Sequence, residues 1–200
     1  HISSQLSGVH QTACVAASSL SDLNITVIDS RQLSMGLGWL VVAAARIARQ
    51  GQSAAQIVAV VREMIPRVRA ITVLDSLFHV ARGGRIGKAK ALVGSLLKVK
   101  PLVQVLDGEV WPICNVRTRR KALARLVEII VAQGPFEEMS VLHADDPEAG
   151  REVLELLIET MTAAGFAFDR ERILFGQSGA AITTHLGLGA VGICCVLTKR

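Results

Sequence analysis

The spacing of apolar side chains predicts two helices in the first third of the chain. The apolar stretch from Ser34 to Gln50 is followed at once by Gly51, a residue that commonly ends helices. Ser53 can cap a second helix that runs to about Met64, because apolar residues three and four positions apart share one face of it. Ahead of both, the β-branched run from Asn24 to Asp29 predicts a buried parallel strand. This part of the chain therefore follows α/β order.

The pattern changes after Pro66, and we place a domain boundary near Arg67. Beyond it, short apolar runs predict strands at Ala70 to Leu74, Pro101 to Leu106, Glu109 to Val116, Ser140 to His143, Ile173 to Phe175, Ala180 to Thr184 and Ala190 to Leu197. Helices are predicted at Ser76 to Arg82, Lys88 to Leu97, Arg119 to Gln133, and from a cap at Asp145 or Asp146 to near Gly165. The dipeptide Asp107-Gly108 fits a two-residue type I′ turn, so the strands beside it should pair antiparallel.

The resulting fold prediction is α/β plus α+β, in two lobes. Residues 1–67 are predicted to form the remainder of an N-terminal lobe with a partial parallel sheet. Residues 68–200 are predicted to form a C-terminal lobe with an antiparallel-rich sheet and packed helices.

Composition and charge narrow the function classes. Half of the chain is hydrophobic and only 4% is aromatic, which suits an aliphatic cavity and equally a compact core. The net charge of +5 comes from basic clusters that can steer an anionic partner, but without interleaved aromatic residues they give little support to nucleic-acid binding. The longest apolar run, Met35 to Ala45, is too short to span a bilayer. Four cysteines without C-x-x-C spacing, and no visible signal peptide, predict a reduced, cytoplasmic protein.

Three motifs suggest chemistry that their context does not favour. The segment Gly187 to Gly192 matches G-x-G-x-x-G, yet it precedes a predicted strand rather than a helix, so we expect no dinucleotide cofactor. His143 followed by Asp145 and Asp146 resembles a metal site, but the aspartates suffice as helix caps and no second histidine has ligand spacing. The segment Gly176 to Gly179 lacks the spacing of a nucleophile elbow. We assign no catalytic residue and no metal.

Polar groups at the two ends of the chain are candidate ligands for an anion. Ser3 and Ser4 precede a predicted helix start, where hydroxyls and free N–H groups can bind a carboxylate, whereas Ser7 is better explained as an ordinary cap. His185 and Gly187 are expected in a turn between two strands, where the imidazole can donate and glycine lets a ligand approach. A structural role for that histidine remains the alternative.

Two arginine clusters are candidate phosphate or partner contacts. Arg82 and Arg85 flank a glycine-rich bend, and a solvated helix end is an equally good explanation. Arg117 and Arg119 stand at a predicted helix N-terminus, where cations are disfavoured, so we expect an acidic partner surface or a phosphate to offset them.

The order of these motifs resembles the DegV family, especially the fatty-acid-binding subunit of bacterial fatty acid kinase. The matching segments span almost the whole chain. They are ISSQLSG (Ile2 to Gly8), VIDS with SMGLG (Val27 to Gly38), RGGRIGKAKALVGSLLKVKP (Arg82 to Pro101), DGEV with VRTRRKAL (Asp107 to Leu123), HADDPE (His143 to Glu148) and THLGLGAVG (Thr184 to Gly192).

The resemblance implies a fatty acid such as palmitate or stearate buried between two lobes. It implies that Ser3, Ser4 and His185 bind the carboxylate, near Gly187. It also implies an ATP-dependent kinase subunit that phosphorylates the bound carboxylate, with the four arginines serving the phosphate or the docking surface. The chain is then a carrier rather than an enzyme by itself.

Three departures from the family pattern bear on the site. Val9 and His10 stand where the family usually has Thr-Tyr, and Leu186 and Leu188 replace a threonine and a proline beside the histidine. The family's N-terminal strands have no counterpart here, so one wall of the expected cavity is absent from this chain. Two other functions remain open, an autonomous enzyme for a small phosphorylated or carboxylated substrate and a regulatory lipid-sensing module.

Overall fold

A computed structural model of the protein describes residues 1–89 and 99–199. The described part contains helices α1 Val9–Ser18, α2 Ser34–Arg49, α3 Ala54–Met64, α4 Phe78–Arg82, α5 Arg119–Val131, α6 Pro147–Ala163 and α7 Ala180–Leu186. Its strands are β1 Val68–Val73, β2 Lys100–Leu106, β3 Glu109–Val116, β4 Phe136–His143, β5 Ile173–Gln177 and β6 Val191–Leu197. The helix predicted at Lys88 to Leu97 lies mostly outside the described residues.

The six strands form one mixed sheet in the order β3-β2-β1-β6-β4-β5. Only β4 and β5 pair in parallel, and α6 connects them. The turn between β2 and β3 has φ of +51° at Asp107 and +85° at Gly108. Because a type I′ turn needs positive φ at both central residues, the predicted hairpin is confirmed.

One face of the sheet is closed by α5 and α6. The core on this face contains large aliphatic side chains such as Leu126, Ile130 and Leu157 from the helices, with Ile71 and Ile193 from the strands. Val191 to Val196 are all buried because β6 is a central strand with both faces covered, which explains its unbroken apolar sequence.

The opposite face carries two smaller cores with space between them. Trp39 and Leu40 of α2 pack with α3 over one end of the sheet. Leu6 of the N-terminal segment and Val80 of α4 pack over the other end, near the β2–β3 hairpin. The gap between these two cores is where the candidate ligand cavity lies.

The strand predicted from Asn24 to Asp29 is absent from this sheet. The segment has no regular secondary structure and pairs with no described strand, and Ile25 is 44% exposed. Its described backbone partners include His1, whose amino group donates to the carbonyl of Ile28 at 2.8 Å. The prediction of a buried parallel strand was therefore wrong, because no strand among the described residues pairs with this run.

The strand predicted at Ala180 to Thr184 is instead helix α7. Its β-branched residues suggested a strand, but Thr184 Oγ1 donates to the carbonyl of Ala180 at 2.8 Å, a bond that suits a threonine within a helix. His185 consequently lies in the last turn of a helix, and Gly187 connects that helix to β6. The predicted turn between two strands was wrong for the same reason.

The coarse fold prediction is confirmed as a mixed α/β architecture with an antiparallel-rich sheet. The remaining helices and strands that fall on described residues are confirmed within a few residues of their predicted ends. The division into lobes at residue 67 stays a prediction, and β1 begins at Val68, directly after a 3₁₀ turn at Ile65–Arg67.

Candidate functional site

Two adjoining cavities occupy the gap on the sheet face that carries α4 and α7. The head cavity has a volume of about 180 Å³ and includes Leu6, Ser7, Arg85, Ile182 and His185 in its wall. The inner cavity is narrower, about 40 Å³, and extends over the centre of the sheet. The two cavities adjoin, and together they are called the passage. Five apolar residues line both: Leu33, Val80, Val110, Ile182 and Leu186.

The floor of the inner cavity is made of small residues on the central strands. Ala70 and Thr72 of β1 lie beside Gly192 and Cys194 of β6. A Cβ atom added at Gly192 would lie 2.7 Å from Thr72 Oγ1, so a larger residue there would force its neighbours to move. Because these side chains are short, they leave an apolar space that helix residues cover without filling.

Helix α7 supplies both apolar and polar parts of the cavity wall. Ile182, His185 and Leu186 are three and four positions apart and therefore share one helix face. The half-buried imidazole of His185 packs against Gly83, where an added Cβ would lie 2.4 Å from Nδ1. That Nδ1 is buried and has no hydrogen-bond partner among the described residues. An unpaired buried nitrogen is unfavourable and is often found where a ligand or water binds.

Arg85 connects the N-terminal segment to the end of α4 at the polar end of the cavity. Its Nε donates to the carbonyl of Leu6 at 3.2 Å, and one terminal nitrogen donates to the carbonyl of Gly83 at 2.6 Å. A guanidinium has five N–H donors, so these bonds leave others available for an anion. Ser7, half-buried, completes this end, and its Oγ accepts a hydrogen bond from the Val9 amide at 3.3 Å.

Ser3 and Ser4 lie outside the head cavity. Ser3 is fully buried, and its hydroxyl donates to the carbonyl of Gly108 at 2.7 Å, which fixes the β2–β3 turn to the N-terminal segment. Ser4 is exposed, and its hydroxyl donates to Asp29 Oδ2 at 2.6 Å. Burial raises the pKa of Asp29, but hydrogen bonds from Ser4 and the Arg31 amide outweigh it and hold the pKa below its usual value. The role of Ser3 and Ser4 as carboxylate ligands stays a prediction.

Gly187 ends α7 in a conformation that suits only glycine. Its φ is +81° and its ψ is 163°. An added Cβ would lie 2.6 Å from Cδ2 of His79, so the α4 helix packs directly on this backbone. Gly187 therefore fixes the end of α7 just after His185, and its role in ligand binding stays a prediction.

Arg119 stands in an ion-pair network within the chain. It contacts Asp75 at 3.1 Å and Asp146 at 2.6 Å, and it donates to the carbonyl of Gly189 at 2.6 Å. Lys100 pairs with the same Asp75 at 2.7 Å. The compensating charge for Arg119 thus comes from internal carboxylates, which the sequence did not predict. Its role as a phosphate or partner contact stays a prediction.

Arg82 and Arg117 are exposed and belong to different elements. Arg82 is in the last turn of α4, and Arg117 precedes the Thr118 cap of α5. Within the described part of the chain neither side chain has an ion-pair partner at or below 4.0 Å. Of the four predicted arginines, only Arg85 lines the head cavity with His185.

The remaining polar motifs have structural roles. Asp146 Oδ1 accepts from the Ala149 amide at 3.1 Å, which confirms it as the cap of α6. His143 is buried beside Phe175, with ring centroids 5.4 Å apart. The segment Gly187 to Gly192 leads from a helix into β6, the reverse of the strand-to-helix context that a dinucleotide fingerprint needs. Among the described residues, no group of histidine, cysteine, aspartate and glutamate side chains could hold a metal ion.

Sequence reasoning missed Ser7 and the helical wall. The sequence predicts Ser7 as an N-cap and residues 180–184 as a strand. Side chains alternate between the two faces of a strand, so a strand pattern does not place Ile182 and His185 on the same face. The signal that could have found them is the spacing of apolar residues at 182 and 186, which matches helix periodicity.

No described helix is both long and apolar enough to span a bilayer.

Comparison with known proteins gives one consistent family. The model of the DegV family, described as uncharacterised, matches residues 1–198. A DegV domain-containing protein of Caldanaerobacter subterraneus subsp. tengcongensis is 35% identical over 195 residues, 96% of this chain and 67% of that protein. Protein DegV of Bacillus subtilis is 33% identical over 198 residues, 97% of this chain and 68% of that protein.

Solved structures of two such proteins share the fold. A fatty-acid-binding DegV family protein from Thermus thermophilus is 28% identical, with a TM-score of 0.88, covering 99% of this chain and 69% of that one. The fatty acid binding protein DegV from Bacillus subtilis is 33% identical, with a TM-score of 0.81 and the same coverage of both chains. The resemblance to the DegV family is confirmed.

Proposed function

Because the chain belongs to the DegV family, we propose that it binds a long-chain fatty acid in the head and inner cavities. The acyl chain runs along the apolar passage over the sheet, and the carboxylate lies at the polar end with His185. The bound acid is then presented to a separate ATP-dependent kinase subunit. The observation that carries the proposal is the passage itself, apolar along its length and polar where three separate segments meet.

The apolar part of the passage supplies the affinity. Each methylene removed from water contributes about 0.8 kcal/mol, so affinity rises with the number of methylenes that the passage buries. Its neighbours would be the side chains of Leu33, Val80 and Ile182 and the small residues of the floor. Both solved relatives described above are named as fatty-acid-binding proteins, which supports this ligand class.

The polar end supplies orientation. A carboxylate taken out of water needs hydrogen-bond donors or it binds in its neutral form. His185, Arg85 and the Ser7 hydroxyl offer them from α7, the bend after α4 and the N-terminal segment. The resemblance points to Ser3 and Ser4, and the geometry adds Ser7 as the hydroxyl that shares a cavity with His185.

The kinase step has a simple chemical form. A carboxylate oxygen of the bound acid attacks the γ-phosphorus of ATP, and ADP leaves, which gives an acyl phosphate. The chain's part is to hold the carboxylate and to present a basic surface to the kinase. Arg82 and Arg117 fit the surface role because both are exposed.

Retention of fatty acid by the purified protein tests the proposal. Native mass spectrometry should show the mass of a C16 or C18 acid, and a fluorescent fatty acid should bind and be displaced by palmitate. We expect His185→Ala to weaken binding about tenfold or more, since a hydrogen bond to a charged group contributes about 1.5–3 kcal/mol. A wild-type protein that binds no fatty acid would overturn the proposal.

Two serine variants separate the resemblance from the geometry. We expect Ser7→Ala to weaken binding severalfold, because a hydrogen bond contributes about 0.5–1.5 kcal/mol. Ser4→Ala should change affinity less than about twofold, because Ser4 is bonded to Asp29 and lies outside the cavity. The reverse result would transfer the head-group role to Ser4. Thermal melts of each variant check that the fold is intact.

A further inference from the structure

The inner cavity ends abruptly along the two central strands of the sheet. Ala70 of β1 pairs with Cys194 of β6, and both residues line the cavity. The next pair on the same face is Val68 and Val196, because residues two apart on a strand share a face. These two valines are 2% and 0% exposed and line neither cavity of the passage. The inner cavity therefore closes between these two rows of side chains.

Helix α2 covers the closed end. Its backbone lies on β1 at Gly36, where an added Cβ would lie 3.3 Å from Cγ1 of Val68. One turn further along the helix, Trp39 is 5% exposed, and its Nε1 donates to the carbonyl of Cys194 at 3.3 Å. Trp39 packs in one buried cluster with Val68, Ala70 and Cys194. The largest side chain of α2 thus lies behind the last row of the cavity floor.

The closed end and the polar end belong to different cavities of the passage. Ala70 and Cys194 line the inner cavity and not the head cavity. Arg85 and His185 line the head cavity and not the inner cavity. An acid whose carboxylate lies with His185 therefore directs its acyl chain toward Ala70 and α2.

We propose that Ala70 and Trp39 set the longest acyl chain that the passage accepts, an inference that rests on the proposed binding of fatty acid. Ala70 contacts the terminal carbons, and Trp39 is a positioning residue that keeps α2 and Cys194 in place behind them. Each methylene up to the closed end strengthens binding about fourfold, the equivalent of about 0.8 kcal/mol. A further methylene finds no space, because the interior beyond the last row is close-packed.

The affinities of saturated acids from C8 to C20, measured by displacement of a fluorescent fatty acid, test the proposal. In the wild-type protein we expect affinity to rise about fourfold per methylene up to one chain length and to stop rising beyond it. Ala70→Val adds two methyl groups at the closed end and should move this break to an acid about two carbons shorter. Trp39→Leu should move the break to an acid at least about two carbons longer, since the surrounding core fills a vacated volume only in part.

The position of the break separates a role in chain length from a role in folding. A variant that is merely less stable weakens the binding of every acid and leaves the break where it is. Trp111→Leu is the matched control, because Trp111 is the chain's other tryptophan, lies on β3 and lines neither cavity. It should keep the wild-type break. Where Trp39→Leu does not fold, as judged by its thermal melt, Ala70→Val decides alone.

Three results would overturn the proposal. The first is intact binding with an unmoved break in Ala70→Val and in any folded Trp39→Leu, which would leave fatty-acid binding itself standing. The second is an equal movement of the break in Trp111→Leu. The third is a wild-type protein that binds none of the acids, which would overturn the proposed function as well.

Discussion

At the scale of single residues, the two faces of the sheet differ in side-chain size. The face under α5 and α6 presents Ile71, Met139 and Ile193, which interdigitate with helix side chains into a dense core. The opposite face presents Ala70 and Gly192 at its centre. Close packing leaves almost no voids where large side chains interdigitate, so the cavity depends on this choice of small residues.

The two cysteines of β6 differ sharply from the other two in exposure. Burial raises the pKa of Cys194 to about 11, although the amides of Gly36 and Met35 hydrogen-bond to its sulfur and oppose the shift. Burial raises the pKa of Cys195 as well. Because the thiolate is the reactive form, we expect iodoacetamide at pH 8 to modify half-buried Cys14 and Cys114 and to spare the β6 pair. Peptide mass mapping before and after unfolding checks this, and equal labelling in the native protein would contradict it.

The raised pKa of Cys194 makes the free energy of unfolding depend on pH in the alkaline range. Above pH 9 the thiol of Cys194 ionises in the unfolded chain but stays protonated in the native one, whose pKa is about 11. The native state then binds more protons than the unfolded state, so the free energy of unfolding falls as pH rises through this range. Urea unfolding at pH 8 and pH 10 should show the decrease, and Cys194→Ala should make it smaller.

At the scale of secondary-structure elements, the polar end depends on how α4 and α7 pack. Gly83 of the bend after α4 faces the imidazole of His185, and His79 of α4 faces the backbone of Gly187. Each helix thus presents a histidine to a glycine near the end of the other. A side chain at either glycine would push the helices apart and move the cavity wall.

We therefore expect Gly187→Ala to lower both stability and fatty-acid affinity. Its backbone conformation costs about 1–3 kcal/mol for a residue other than glycine, and the new Cβ would clash with His79. Gly51→Ala is the control, since Gly51 has φ of +76° but no atom within 4 Å of an added Cβ. Thermal melts and fatty-acid titrations should show the larger loss at Gly187. An equal loss of stability with unchanged affinity would remove Gly187 from the site.

Elements whose local signals agree with their surroundings could be predicted from the sequence. The hairpin at Asp107-Gly108 follows from two adjacent residues, and α3 follows from the Ser53 capping box, so neither needs a distant partner. Elements that depend on distant partners were missed. The run from Asn24 to Asp29 has strand propensity without a paired neighbour, and α7 has strand propensity within a helix, because tertiary context overrides propensity.

The candidate site divides in the same way. His185 and Arg85 could be singled out because a lone imidazole and an arginine beside glycines suit anion binding wherever they lie. The sequence could not predict which hydroxyl accompanies them, because Ser3, Ser4 and Ser7 lie within five consecutive residues. Only the folded structure separates their environments, with Ser3 under the hairpin and Ser7 in the cavity wall.

At the scale of the whole molecule, the arginines predicted as phosphate or partner contacts differ in whether they form ion pairs within the described part of the chain. Arg119 pairs with Asp75 and Asp146 and binds the Gly189 carbonyl, so it joins β6, α5 and α6 around the end of the passage. Removing it would disturb the passage itself. Arg82 and Arg117 have no such described partners, and exposed charges of this kind mainly set the rate and specificity of association.

Acyl phosphate formation with a candidate ATP-dependent kinase subunit distinguishes these two sets. We expect the double variant Arg82→Ala/Arg117→Ala to bind palmitate within about twofold of the wild type, because neither side chain lines the passage. Its rate of acyl phosphate formation should fall severalfold at low salt, and the difference should shrink as salt screens the docking charges.

Arg119→Ala should instead lose thermal stability and palmitate affinity together, since its partners hold the Gly189 loop. Arg49→Ala controls for the loss of an exposed charge far from both sets. If the double variant forms acyl phosphate at the wild-type rate at every salt concentration, the docking surface lies elsewhere, and the carrier proposal would then rest on the passage alone.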